Sequence, residues 1–116
     1  MALDALKTVD IIELMENFIE RLRPKEEEVR KEIDYGYNIE GQSIFLLEIR
    51  PDWKDPRIIR QFPFAKTTYI KSSDIWKIYW MRANLKWYQY DPKPTVKTLQ
   101  AFLQIVKDDK YNCFFG

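Results

Sequence analysis

Histidine is absent from the 116 residues, and glycine occurs only three times, at 36, 41 and 116. The first absence removes the usual side chain for proton transfer near neutral pH and the commonest metal ligand. A Ser-His-Asp or Cys-His relay within the chain is excluded with it. The scarcity of glycine excludes phosphate-cradling loops and dinucleotide fingerprints, which need closely spaced glycines so that backbone can approach phosphate. The single cysteine, Cys113, cannot close an intramolecular disulfide. A reactive thiol there would need a basic neighbour, for which Lys110 is the only local candidate, so the expectation is a small hydrophobe helping "CFF" dock on a sheet. Long apolar runs are missing as well. "IFLL" at 44–47 falls far short of the roughly 20 residues that cross a bilayer. Residues 1–10 have neither the basic start nor the apolar core of a secretory signal, so a cytosolic protein with no membrane partner is expected. Glu40, Glu48, Asp52, Asp55 and Asp74 are scattered over turns and strands with nothing marking two of them as a catalytic pair. No catalytic, cofactor-binding or metal-ligating residue is assigned and no cofactor is expected, which leaves an enzyme as the least favoured class.

What is present is apolar surface: 46% hydrophobic residues and 16% aromatics, enough for one core and one domain over residues 1–116. Ile11, Ile12, Met15, Phe18, Ile19 and Leu22 recur at spacings of three and four, which predicts an amphipathic helix over residues 10–22, with Asp10 as N-cap and Glu13 completing the cap. Pro24 ends or kinks it, and "KEEEVRKEI" (25–33) reads as a second short helix with Glu26–Arg30 and Glu27–Lys31 pairs on a solvated face. From residue 33 the period becomes two. "IDYGYNI" and "SIFLLEIR", joined at Gly41, form a hairpin. Residues 50–64, with Pro51, Pro56 and Pro63, are expected to be a long irregular connection. Strands follow at about 65–71, 76–81 and 86–90, and a last helix capped by Thr95 carries Val96, Leu99, Phe102, Leu103 and Val106. The order predicts an α+β fold: an N-terminal helix, an antiparallel sheet of about five strands, and a C-terminal helix packed on the sheet.

Charge is uneven although the net is only +1. Residues 50–97 hold eleven basic side chains against four acidic, whereas residues 1–34 hold six against ten. The basic half suits an anionic partner, unless the acidic helices dock against it and neutralise it. Within it, "WKIYWMRANLKWYQY" (76–90) interleaves aromatics with lysines and arginine. With Ala83 and Asn84 as a two-residue turn, Trp80 would face Trp87 across the hairpin and join Trp76 and Ile78 in the core. Trp80→Ala would then cost about 3–5 kcal/mol. The other side would collect Lys77, Tyr79, Lys86, Tyr88 and Tyr90, joined by Lys66 through a two-residue turn at Ser73 and Asp74, as a binding face. A slip of one residue would exchange the two sides. The favoured function is a protein-interaction or homodimerisation module, since tyrosine, methionine and arginine are enriched in interfaces. The alternative is a module that stacks single-stranded nucleic acid or holds another anion on that face.

"AKTTYIKS" (65–72), "WKIYWMRANLKW" (76–87) and the ending "CFFG", after "EIRP" (48–51), resemble a bacterial family known as domain of unknown function 3024. The resemblance spans nearly the whole chain. It implies a small bacterial cytosolic domain and brings no activity, cofactor or catalytic residue. The family pattern often carries a histidine just after the position of Trp87; this chain has Tyr88 there, so no histidine chemistry is implied at that place.

Overall fold

The computed structural model describes residues 5–115. It is built from helix α1 (Ala5–Leu22), a single helical turn α2 (Glu27–Arg30), strands β1 (Asp34–Glu40), β2 (Ser43–Pro51), β3 (Ile59–Ile70), β4 (Ile75–Met81), β5 (Trp87–Gln89) and β6 (Thr95–Val96), and helix α3 (Leu99–Asp108). The fold is α+β. Strands β1 to β5 pair antiparallel in chain order, and the two-residue β6 pairs with β4 beyond the end of β5. One face of this sheet receives both long helices. Ile11, Met15, Phe18 and Ile19 of α1 and Leu99, Phe102, Leu103 and Val106 of α3 pack on Ile44, Leu46, Ala65, Trp76 and Ile78. Apolar side chains at helical spacing from two segments and at spacing two from the strands thus meet in one core, which is the layer rule for such domains. Thr67, the one buried polar side chain among the described residues, donates its hydroxyl to the carbonyl of Lys77 at 2.8 Å, so its burial leaves no unpaired group.

Several sequence expectations are corrected here. Helix α1 extends to Ala5, which puts Asp10 in its interior rather than at an N-cap. The charged run after Pro24 does form a short helix, but Arg30 donates to the carbonyls of Pro24 and Lys25, and Lys31 pairs with Glu28 at 3.2 Å. The expected pairs of Glu26 and Glu27 give way to them because a single turn leaves Arg30 beside the free carbonyls of the linker between α1 and α2. Thr95 does not cap α3; it lies in β6, and Thr98 is the cap, accepting from the Ala101 amide at 3.1 Å.

The largest correction concerns residues 50–64. Only the loop after Pro51 is irregular, and it is tightened by the Asp52 carboxylate, which accepts from the amides of Lys54 and Asp55 and from Arg60. Ile59 to Phe64 belong to β3, and Ile59 to Pro63 pair with β2 alone. Pro63 is tolerated because β4 is absent beside it, and the register shifts there: Leu46 faces Ala65 and Leu47 faces Pro63, leaving Phe64 as the extra residue of a bulge. A proline beside a bulge on a one-sided stretch of strand costs no ladder bond and blunts that edge against further pairing.

Arg23 at the end of α1 grips Asp34 at the start of β1 through two parallel bonds of 2.7 and 2.8 Å. Hydrogen bonding from Arg23 holds the Asp34 carboxyl below its ordinary range, against a smaller opposing effect of burial. A carboxyl depressed in the folded state adds stability above its unfolded pKa of about 3.9, and that contribution disappears as pH falls through the lower folded value. Asp34→Asn is therefore expected to lose stability at pH 7 and to show a shallower decline between pH 5 and pH 2 than the parent. Urea melts across that range measure it; parallel acid limbs for the two proteins would refute the linkage.

Candidate functional site

With the helices on one side, pleat alternation turns the other face of the sheet to solvent. This face carries Phe45, Leu47 and Ile49 of β2, Lys66, Thr68 and Ile70 of β3, Ile75, Lys77, Tyr79 and Met81 of β4, and Trp87 of β5. Ser43 and Thr68 face each other across β2 and β3 and share a hydrogen bond of 2.7 Å. Gly36 sits on β1 at the near edge, and a Cβ there would meet Ile49 Cδ1 at 3.1 Å, so the absence of a side chain lets Ile49 lie against β1.

At the centre of this face stands Lys66. Its ammonium lies 5.0 Å from the ring centre of Tyr79, 5.6 Å from that of Phe45 and 5.9 Å from that of Trp87. β2 and β5 are three strand spacings apart, about 14 Å, yet the Phe45 and Trp87 rings approach to 5.9 Å. Both side chains therefore lean over β3 and β4 toward Lys66. The three rings are half-exposed, and those of Phe45 and Trp87 hold each other in place. Each lies within the roughly 6 Å over which a cation is attracted to a ring face. No carboxylate among the described residues reaches Lys66 or Lys77.

The four acids of the basic half are occupied elsewhere. Asp52 and Asp55 hold Arg60 and Arg57, Asp74 accepts from the Tyr69 hydroxyl, and Asp91 accepts from Gln89. Arg60 and Arg57 correspondingly draw the Asp52 and Asp55 carboxyls below their ordinary range. The acidic α1 packs on the opposite face, so it does not neutralise the lysines of this one.

Of the residues that the sequence assembles into a binding face, Lys66, Lys77 and Tyr79 come together here. Tyr88 and Tyr90 do not. The last hairpin is one residue longer in its loop than expected: Arg82 and Lys86 close it, Leu85 donates to the Arg82 carbonyl at 2.8 Å, and Leu85 carries the positive φ of 63°. Trp80 consequently faces Tyr88, and Met81 faces Trp87. Tyr88 turns to the helix side, Tyr90 is buried there against Phe114 at 5.1 Å, and its phenol is raised by burial. Lys86 is exposed and closes the loop opposite Arg82. Trp87 and Phe45 are the functional candidates that sequence reasoning missed. The signal for Trp87 was that "AN" without glycine suits a two-residue hairpin poorly, because the favoured types need positive φ at one or both positions. The three-residue alternative, a type I turn followed by a left-handed residue, restores the right-handed strand twist.

The C-terminal segment docks as expected. Asp109 accepts from the amides of Phe114 and Phe115, Phe114 is buried, and Phe115 meets Tyr35 and Phe64 edge-on or tilted. Cys113 is half-buried beside them, and burial, reinforced by Asp109, pushes its thiol up rather than down. That is the environment of an unreactive thiol.

Among the described residues no helix is long and apolar enough to cross a membrane. A family model described as a domain of unknown function (DUF3024) matches residues 3–116. No curated protein and no solved structure matches the chain.

Proposed function

The chain belongs to the DUF3024 family of domains of unknown function, and from that premise we propose that it is a non-enzymatic binding domain whose helix-free sheet face holds single-stranded nucleic acid. The observation that carries this reading is Lys66: an ammonium ringed by Phe45, Tyr79 and Trp87, on an open face, with no counter-charge. Bases stack on aromatic rings for roughly 1–3 kcal/mol each, and lysines supply the phosphate attraction. The Phe45 and Trp87 rings already constrain each other, which lowers the ordering cost of stacking a ligand on them. A bacterial cytosolic setting, where a lone thiol stays reduced, accords with this reading.

The test is fluorescence anisotropy with labelled oligo-dT and oligo-rU. Micromolar affinity is expected at low salt, and contact of Lys66 and Lys77 with two phosphates predicts a log–log salt slope of about −1.4. No binding at tens of micromolar protein, or affinity indifferent to salt, overturns the reading.

A second reading is self-association or docking of another polypeptide on the same face, supported by its half-exposed apolar flank of Ile49, Ile70, Ile75 and Met81. Light scattering over a concentration series separates the two. Nucleic acid is the better supported occupant, because two copies meeting face to face would bring uncompensated lysines together as water is expelled.

A further inference from the structure

We infer that the nucleic-acid path does not stop at Trp87 but continues into the cleft where the sheet divides, with Arg82 as a dedicated phosphate clamp; this rests on the reading of the open face given above. Pairing between β3 and β4 ends at Ala65 and Trp80. Beyond it β3 runs on with β2 to Ile59, while β4 turns into the last hairpin. The two arms enclose about 440 Å³ lined by Phe62, Phe64, Met81, Arg82, Leu85 and Phe114. Met81 belongs to both the open face and the cleft wall, so the two surfaces are continuous. From Tyr79 to Arg82 the strand rises about 10 Å, and because the Arg82 guanidinium lies with Trp80 and Tyr88 on the helix side of the sheet, the path passes between the two arms beside Met81, a step that one oligonucleotide spans.

Arg82 is prepared for an anion. Its guanidinium lies 4.2 Å from the ring centre of Tyr88 and 4.9 Å from that of Trp80, and the Tyr88 ring is itself tethered by Asn84, whose side-chain amide donates to the Tyr88 hydroxyl at 2.7 Å. Rings hold the guanidinium, while no acceptor or carboxylate among the described residues takes its N–H donors. Arg50, the other arginine lining the cleft, is spent on Glu48 at 3.0 Å. A stacked guanidinium with free donors matches the two oxygens of a phosphate in a way an ammonium does not. The cleft also presents exposed apolar surface to a base: Phe62 is 36% and Leu85 76% exposed. Leu85 occupies a left-handed backbone conformation that a leucine adopts at a cost, and such conformations cluster where a loop is shaped for binding.

Strand length decides the matter. Oligonucleotides of about 4 nucleotides are compared with ones of about 12, within the span of single-strand site sizes. Arg82→Ala and Arg82→Lys should bind the short strand like the parent and the long strand about five- to tenfold more weakly. Thermal melts of both variants establish that they fold, as an exposed side chain at a loop should allow. Equal affinity of parent and variants for the long strand overturns the clamp while leaving the open-face reading intact. Failure of both strands to bind the parent overturns both. Displacement of the long strand by an equally charged polyglutamate at the same concentration also overturns the inference, because the cleft would then read charge alone.

Discussion

Phe102→Ala should cost about 3–5 kcal/mol of folding stability, a loss that removes much of the roughly 5–15 kcal/mol available to a domain of this size. Phe102 is fully buried, on the face of α3 turned to the sheet, in the same cluster as Met15 of α1 and Ile78 of β4. Its truncation opens a cavity at the junction of α1, α3 and the sheet, where neither the helices nor the sheet can relax without losing other contacts. A guanidinium melt measures it, and a midpoint close to the parent's would mean that the helix does not pack as described. The sequence places this burden on Trp80. Trp80 does face the helix side, but it sits near the end of β4, is only half-buried, and meets Tyr88 rather than Trp87 across the hairpin. Its truncation should therefore cost less than that of Phe102.

Trp87→Ala should weaken binding of single-stranded nucleic acid by about 1–3 kcal/mol, a loss of roughly five- to 150-fold, because it removes one stacking ring and frees Phe45 and Lys66 from their arrangement. The same change should lower stability by only about 1 kcal/mol, since the ring rests on an open face and contacts one other aromatic. Anisotropy titrations alongside denaturant melts separate the two effects. Unchanged affinity in a folded variant would exclude the ring cluster as the binding surface. Tyr88, which the sequence nominates for this role, should leave short-strand affinity unaltered when truncated, because its ring lies on the other side of the sheet beside Arg82.

The contrast between the two hairpins of β4 explains where sequence reasoning held and where it failed. Between β3 and β4 the loop has four residues, Lys71 to Asp74, where two were expected. Adding two residues preserves the pleat, so Lys66, Thr68 and Ile70 stay on the side of Lys77 and Tyr79 as read. Between β4 and β5 the loop has three residues where two were expected, and the odd difference turns β5 over. One residue of loop length thus moves Trp87 onto the open face and takes Tyr88 and Tyr90 off it.

The sequence by itself determined the two long helices, most of the strands and most of the core. Spacings of three and four in α1 and α3 and alternation in β1, β2 and β4 are local patterns, and burying them in one layered domain leaves few arrangements. It also determined the uneven charge and the chemistries that an absence of histidine and a scarcity of glycine exclude. Tertiary structure alone decided that β2 and β3 run past β4 to form a cleft, which depends on a bulge at Pro63 and a loop gathered by Asp52. It alone decided that Phe45 and Trp87, 42 positions apart in the chain, close over Lys66. Those outcomes rest on register and on which carboxylate reaches which cation. Both are contacts between distant segments, and no local pattern of residues encodes them.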